Sequence, residues 1–458
     1  MPTLRFKSNW IFTLLLLFGG AQLLTAQQVD FTDIRPKQNS PLSRFGLGDA
    51  LDQHFAAQAG MGGIQSVYQD AYQVNLLNPA SLASLAATSL EIGLYGKLSK
   101  LEDANGSVNT ESGNLSYMAL AFPLRNPINM NLDRQSNHWN AGMAFSLAPT
   151  TLVGYDLELE EEVDGAGLAS NLLRGTGGTY QASWAGAYRY KGFSSGFKLN
   201  YNFGQISNGR VVILDSILTS LATEFSEEFS VSGLNLGYGF QYAINLKKDG
   251  DGGERVNSGK RIVIGVNGKL QSDLTTNSST LFRRFSNNSA VFLNDTLSSQ
   301  ESQRGSLTLP SEINFGVAFE NFNRLFVGAE FGMASWDSYR NDVNPDERLS
   351  STNRFAFGIQ YIPNANSYNS FWKRLRYRAG VRLEDDPRVL DNVQGRKHAV
   401  TLGLGIPILL PRQQVSFFNF AVEMGKFGVP DVLDENYIQF TMGFSLNDNS
   451  WFYKRKFN

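Results

Sequence analysis

From about residue 88 to the C-terminus the chain is written in short runs whose side chains alternate, one apolar and the next small or polar. Trp139, Ala141, Met143, Phe145 and Leu147 alternate with Asn140, Gly142, Ala144, Ser146 and Ala148. Leu234, Leu236, Tyr238, Phe240, Tyr242 and Ile244 do the same against Asn235, Gly237, Gly239, Gln241, Ala243 and Asn245, as do Ile438, Phe440, Met442 and Phe444 further on. Successive strand side chains point to opposite faces, so each run reads as a strand with one greasy side.

Fourteen such runs are expected, at about 88–99, 114–123, 138–160, 179–190, 192–204, 231–246, 260–272, 306–320, 324–336, 352–362, 374–384, 397–408, 414–425 and 435–446. Lys191 and Asn321-Phe322-Asn323 are tight turns, whereas 161–178, 205–230 and 273–305 are long and polar. A soluble sandwich alternates in the same way. The runs here are longer than the usual strand of about 5–6 residues and suit a tilted membrane crossing of about 9–11. Long loops at one end and short turns at the other are how outer-membrane barrels are wired. Phe193, Phe197, Leu199, Tyr201 and Phe203 oppose Ser194, Gly196, Lys198, Asn200 and Asn202, polar groups that a dry core would desolvate at a cost and a polar lumen accepts. Tyr188, Tyr190, Trp336, Tyr339, Phe371, Trp372, Trp451 and Tyr453 lie near strand ends and suit interfacial girdles. The expected fold is all-β: a transmembrane antiparallel β-barrel of about fourteen strands over residues 87–458.

Arg5 and Lys7 precede an almost wholly apolar run from Trp10 to Phe18, then Gly19, Gly20, Ala21 and Thr25-Ala26-Gln27. This reads as a secretory signal peptide over 1–26 and is too short for a membrane helix. Residues 27–40 are polar, and from Ser40 to Ala86 alternation gives way to Ala, Gly, Gln and Asn with scattered aromatics. Residues 27–86 therefore form a unit before the strands. A net charge of -2 without a basic stripe speaks against a nucleic-acid partner. With no Cys, disulfides, thiol nucleophiles and thiolate metal sites are excluded.

On the strand near 374–384, Leu375, Tyr377, Ala379, Val381 and Leu383 are assigned to the lipid face, and Arg376, Arg378, Arg382 and Glu384 to the lumen. A charge on the lipid side costs roughly 2–4 kcal/mol at mid-depth, which fixes this phase. Glu320, Glu330 and Glu423 share the lumen phase on their own strands. These charges brace one another, or Arg376 or Arg378 meets an anionic ligand group or the lumen filling. Alternation in the third strand runs past Leu147 through Val153, Tyr155, Leu157 and Leu159, but Pro149 interrupts it. Proline cannot donate to a ladder, so pairing fails or bulges there, and Gly154 tolerates the distortion. The alternative is a hairpin turn at Ala148-Pro149-Thr150-Thr151, giving fifteen strands; parity favours one long kinked strand.

Catalytic motifs are missing. His54, His138 and His398 are far apart in sequence, and no G-x-S-x-G or H-E-x-x-H occurs. Lys248 to Glu254 lacks the full set of calcium-loop oxygens, and Gly403-Leu404-Gly405 lies within a strand rather than before a helix. Neither an enzyme nor a cofactor or metal site is expected.

Ala59-Gly60-Met61-Gly62-Gly63 followed by Leu77-Asn78-Pro79-Ala80-Ser81-Leu82 resembles the N-terminal hatch of the FadL/TodX family of outer-membrane hydrophobic-compound transporters. Thr308-Leu309-Pro310 with Gly316, Trp336-Asp337-Ser338-Tyr339, Tyr361 with Pro363, and Tyr377-Arg378-Ala379-Gly380 resemble the order of motifs in that family's second half. Ser40 to Gly48 and the ending from Glu435-Asn436-Tyr437 through Trp451-Phe452 look like versions from Bacteroidetes. The resemblance implies a fourteen-strand barrel in the outer membrane with residues 27–86 as a hatch in the lumen. It implies passive uptake of hydrophobic molecules such as long-chain fatty acids or aromatic hydrocarbons. Hatch displacement would open a sideways exit at the kink of strand three, here Pro149 with Gly154. Phe45, Asn78, Pro79 and Ala80 would be the hatch residues near the ligand. Outer-membrane lipid and a hydrophobic small molecule are the expected partners of a monomer. A related alternative is a non-transporting adaptor or shuttle for type IX protein secretion, binding a protein partner through its extracellular loops, or a structural barrel without cargo.

Overall fold

The computed structural model describes residues 40–458 apart from 104–105, 126–137, 164–166, 215–220, 250–254, 287–293, 322–323, 346–348, 391, 411–413, 430–432 and 449–458. The signal-peptide reading, Trp451, Tyr453 and most of the calcium-like loop lie outside the described residues. The fourteen barrel strands are β1 Thr88–Asp103, β2 Gly106–Pro123, β3 Trp139–Val163, β4 Gly167–Tyr190, β5 Phe193–Leu214, β6 Leu221–Asp249 and β7 Arg255–Lys269, followed by β8 Glu312–Asn321, β9 Leu325–Ala334, β10 Thr352–Tyr361, β11 Arg376–Leu390, β12 Val393–Leu410, β13 Gln414–Val429 and β14 Leu433–Asp448. Each pairs antiparallel with its neighbours, and β14 pairs with β1 from Asp434↔Glu102 to Asp448↔Thr88, closing the ring.

Alternation sorts the two faces as expected. Phe145 and Phe197 are 48% and 46% exposed on the outer wall, while Asn140, Asn200 and Asn202 are buried inside. Closure satisfies most of the strand backbone within the sheet, the condition for crossing hydrocarbon. Leu375 departs from its lipid-face assignment: it precedes β11 and is fully buried. Tyr339 and Trp336 also leave the expected girdle and pack inward with Leu307 and Leu309.

The stretches read as long loops are strands too. β3 to β6 run for 25, 24, 22 and 29 residues, far beyond a membrane crossing, so they rise from the ring as a twisted ribbon. The described residues of 273–305 fall in two antiparallel strands, Ser272–Ser286 and Asn294–Leu309, that pair with each other and add to the upper half of β6 from Leu221↔Ser286 to Ser232↔Thr275. The single strand expected over 306–320 is therefore two. Pro310 separates the hairpin from β8, which pairs with β7 from Glu312↔Lys269 onward. Polar composition misled here: Ser, Thr and Asn on both faces of a ribbon surrounded by water still form a ladder, but leave no alternating signature.

β3 is one long, kinked strand, and the kink does more than interrupt it. The register with β4 slips between Pro149 and Thr151. Because the side-chain period is two, a one-residue slip exchanges the faces. Phe145 points to lipid, but Val153 and Tyr155, of the same parity, are buried in the cluster of Phe229, Leu274 and Tyr339. β2 and β3 pair only from Met118↔Leu147 to Pro123↔Gly142. Above that seam neither β2 nor β3 has the other as a ladder partner.

The hairpin lies outside the closed ring. Deleting Ser272 to Leu309 would leave Leu270-Gln271-Pro310-Ser311 to join the register partners Lys269 and Glu312. The shortened protein is expected to retain the heat-modifiable gel mobility of a folded barrel. It should lose the apolar cluster around Leu274 and Leu307, detectable as weaker binding of an apolar fluorophore.

Candidate lumen site and wall seam

Residues 55–87 pack against the inward faces of the ring. The short helix Ala56–Ala59 is started by Phe55, whose N–H donates to Gln58 Oε1 at 2.9 Å. The Phe55 ring stacks on Tyr117 of β2 at 3.9 Å, and Ala56 N–H donates to the Tyr117 hydroxyl at 3.0 Å. Gly62 and Gly63 follow at φ +66° and +73°, a left-handed turn that side chains resist. The turn aims Gly62 N–H at Thr401 Oγ1, 2.8 Å away, and brings Gly62 against the backbone of Phe357 and Val381. Gln65 and Ser66 N–H groups converge on Glu330 Oε2 at 3.0 and 2.6 Å. Asn78 caps the 3-10 helix Pro79–Ser84 by accepting from Ala80 N–H at 3.1 Å, and donates to Ser66 O at 2.6 Å.

Wall arginines hold this segment. Arg376 donates to Asp70 Oδ2 at 2.6 Å, and Arg378 to Gln73, Asn419 and Gln360 at 3.1, 2.8 and 2.8 Å. Arg354 pairs with Glu330 at 2.6 Å and also donates to Gly63 O. Arg382 takes both oxygens of Asp52 at 2.9 and 2.7 Å and reaches Glu423 at 2.7 Å. Glu423 also accepts from the Tyr437 hydroxyl at 2.6 Å, and Glu320 pairs with Arg261. Glu384 lies 3.9 Å from Arg382. The charged side chains thus contact one another, and Arg376 and Arg378 contact Asp70 and Gln73 of the segment inside the ring.

Residues 40–53 form an arm along the open edge of β3. Asp49 and Ala50 pair with Leu152 and Thr151, and Leu51 N–H donates to Thr150 O at 2.9 Å. Gln53 donates to the Pro149 carbonyl at 2.6 Å. Ser40 N–H donates to Gly154 O at 2.8 Å, and Gly154 N–H donates to Ser43 Oγ at 3.1 Å. Gly48, at φ +98°, lies so close to Leu152 and Val153 that a Cβ would meet Leu152 O at 2.6 Å. Asp49 is held by Arg388 at 2.6 Å.

Two cavities border the arm and share Ala50, Leu51 and Gln53. One, of about 320 Å³, is mostly apolar and is lined by Phe45, Leu47, Val231, Leu274, Trp336 and Tyr339 among others. The second, of about 280 Å³, is of mixed polarity, with Asp52, His54, Tyr95, Lys397 and Tyr437, and extends to Ser112 and Ser116 of β2 and Pro149 of β3. Phe45, Pro149 and Gly154 therefore meet at the arm. Asn78, Pro79 and Ala80 do not: they are buried deep, packed against Gly239 and Gly196. Sequence reasoning missed Asp49, Asp52, His54, Arg354 and Arg388. Asp49, Asp52 and His54 meet Arg388, Arg382 and Arg354 some 300 or more residues away, and nothing in the unpatterned stretch marks them.

A closed fourteen-strand antiparallel barrel with an apolar outer wall defines a multi-pass outer-membrane β-barrel. The fold is that of the FadL/TodX type. The chain is similar to the Pseudomonas putida toluene transporter TodX (15% identity, 86% of this chain and 98% of that chain, TM-score 0.55) and to a Pseudomonas aeruginosa FadL homologue (11%, 87% and 98%, 0.53). It is also similar to the CymD monoaromatic hydrocarbon channel (15%, 88% and 99%, 0.50). No curated protein matches the chain. The BamG family model matches residues 22–458, and the chain belongs to the BamG family.

Burial pushes the Asp52 carboxyl up, but the Arg382 guanidinium, with Lys397 and His54, more than offsets this and holds it well below the usual carboxylate range. A depressed folded value means that the docked arm keeps its full stabilisation above the ordinary aspartate value near 3.9 and loses it as pH falls through the lowered one. Protease cleavage of the arm is expected to stay flat from neutral pH down to about pH 4 and to rise only below it. Arg382→Gln removes the largest lowering influence on Asp52, and the rise should begin at a higher pH than in the parent.

Proposed function

We propose that this barrel takes up hydrophobic small molecules, such as long-chain fatty acids or aromatic hydrocarbons, by passive diffusion through a lateral opening at β3. The observation that carries the proposal is the break in pairing above the six-pair β2–β3 seam, where the arm lines the free edge of β3 and separates the cavity that reaches Ser112 and Ser116 from the apolar one beyond it. A molecule settling against Phe45, Leu47, Trp336 and Tyr339 gains about 25 cal/mol per Å² of apolar surface removed from water. A cavity of about 320 Å³ accepts one aromatic ring or a stretch of alkyl chain. Withdrawal of residues 40–53, the outer part of the hatch, frees the β3 edge and opens a path between β2 and β3 into the membrane. The toluene transporter and the hydrocarbon channel, which share the fold, support this substrate class.

The route is tested by tying the arm down. Ala50 and Thr151 are register partners, with Cα atoms about 4.5–5.5 Å apart in such pairs, a spacing that a disulfide spans. With no native Cys, Ala50→Cys with Thr151→Cys gives one defined bridge. Uptake of labelled fatty acid or toluene into proteoliposomes should stop on oxidation and return on reduction. Equal uptake by the oxidised protein refutes the lateral route. A second reading, a protein-binding adaptor, is favoured by one feature: residues 294–304 of the ribbon hairpin are exposed at every position. A barrel that transports nothing in either redox state, yet captures a defined protein through this hairpin, would support that role instead.

A further inference from the structure

At the short-turn rim, directly below the β2–β3 seam, the outer wall carries cations set on aromatic faces. Arg125, just beyond β2, lies over the Trp139 ring of β3 at 3.9 Å and donates to Trp139 O at 2.9 Å. Trp139 stacks on Tyr188 of β4 at 5.9 Å and is the register partner of Tyr190. Lys191, in the turn after β4 at φ +53°, lies over the Tyr190 ring at 5.3 Å, and its N–H donates to His138 O at 2.8 Å. The three aromatic residues are 42–49% exposed, in the outward phase of the strands. Neither Arg125 nor Lys191 forms an ion pair with a carboxylate among the described residues.

Three strands thus contribute to one patch in which rings face the membrane and two positive charges stand beside them. Tyrosine and tryptophan prefer the headgroup level of a bilayer, apolar body inward and polar edge outward. A cation resting on a ring is fixed in position while its remaining N–H donors stay free, the arrangement that receives a phosphodiester. Short turns of outer-membrane barrels face the periplasm, whose leaflet supplies phospholipid.

We propose that Arg125, Trp139, Tyr188, Tyr190 and Lys191 form a binding site for the phosphate headgroup of an anionic phospholipid. The lipid spans β2, β3 and β4 at the foot of the seam and braces the short stretch where β2 and β3 pair. Its acyl chains lie along the outer wall toward Phe145 and Trp184, below the opening.

The test is native mass spectrometry of the full-length barrel released from mixed phosphatidylglycerol and phosphatidylethanolamine nanodiscs. Heat-modifiable mobility serves as the check that each variant is folded. The parent should retain phosphatidylglycerol preferentially. Arg125→Gln or Lys191→Gln should each reduce that preference roughly fivefold, and the double variant roughly thirtyfold, as expected for charges near a lipid surface. Equal retention of the two lipids by the parent, or an unchanged preference in the folded double variant, overturns the site. Loss of bound phosphatidylglycerol to millimolar inorganic phosphate at constant ionic strength also overturns it, assigning the patch to a soluble anion instead.

Discussion

Every backbone N–H and C=O that crosses hydrocarbon must find a partner within the protein, and here the closed ladder provides almost all of them. The place where the ladder fails on its own is the β2–β3 interface above Leu147. Pro149 removes one donor, and the register slip beside it turns β3 away from its neighbour. The edge this exposes is met by chain from elsewhere: Asp49, Ala50 and Leu51 extend the ladder, Ser40 and Gln53 donate to the carbonyls of Gly154 and Pro149, and Ser43 Oγ accepts from Gly154 N–H. The arm is therefore a structural requirement of the kink. Any function assigned to the opening has to reckon with the hydrogen bonds that close it.

The slip also explains where the apolar cavity comes from. Had β3 kept its phase, Val153 and Tyr155 would face outward with Phe145. Exchange of faces turns them into the ribbon's interior, where they meet Phe229 and Val231 of β6, Leu274 and Leu307 of the hairpin, and Tyr339. Below the kink the lumen is lined by Asn, Ser, Gly and paired charges, and residues 55–87 occupy it closely enough that a Cβ on Gly196 would meet Ala80 N at 2.5 Å. One bulge thus separates a polar, filled lumen from an apolar pocket above it.

The barrel was legible in the sequence because its two faces meet different media. Phe193, Phe197 and Tyr201 against Ser194, Lys198 and Asn200 state the contrast directly, and Arg376, Arg378 and Arg382 fix its phase. Pro149 was legible as a break because proline's missing donor is a property of the residue itself. The upper parts of β4 to β6 and the 272–309 hairpin were not legible, since Ser, Thr, Asn and Glu dominate them and the few inward apolar residues, such as Phe229, Leu274 and Leu307, are too sparse to alternate. Leu375, Trp336 and Tyr339 were misplaced because the phase of a strand says nothing beyond its end. The pairing of Asp52 with Arg382, or Asp49 with Arg388, depends on how the unpatterned stretch folds back into the ring, and no local signal carries that.

The charge pairs differ in what their rupture would leave behind, and this bears on which part of the proposed hatch can move. Breaking a buried pair costs about 3–5 kcal/mol chiefly because one charge is stranded. If the arm leaves, Arg382 keeps Glu423 at 2.7 Å, and Arg388 keeps Asp386 at 2.7 Å. Asp52 and Asp49 are already partly in contact with solvent. Withdrawal of the arm therefore strands no wall arginine without a carboxylate. Withdrawal of residues 55–87 would take Asp70 from Arg376 and the Gln65 and Ser66 amides from the fully buried Glu330 carboxylate. It would also strip the Tyr117 hydroxyl of Ala56 and Thr401 of Gly62. The energetic boundary lies near His54, so a route that displaces residues 40–53 and leaves the deeper segment in place costs far less than one that empties the lumen. That asymmetry favours sideways passage at β3 over passage along the barrel axis.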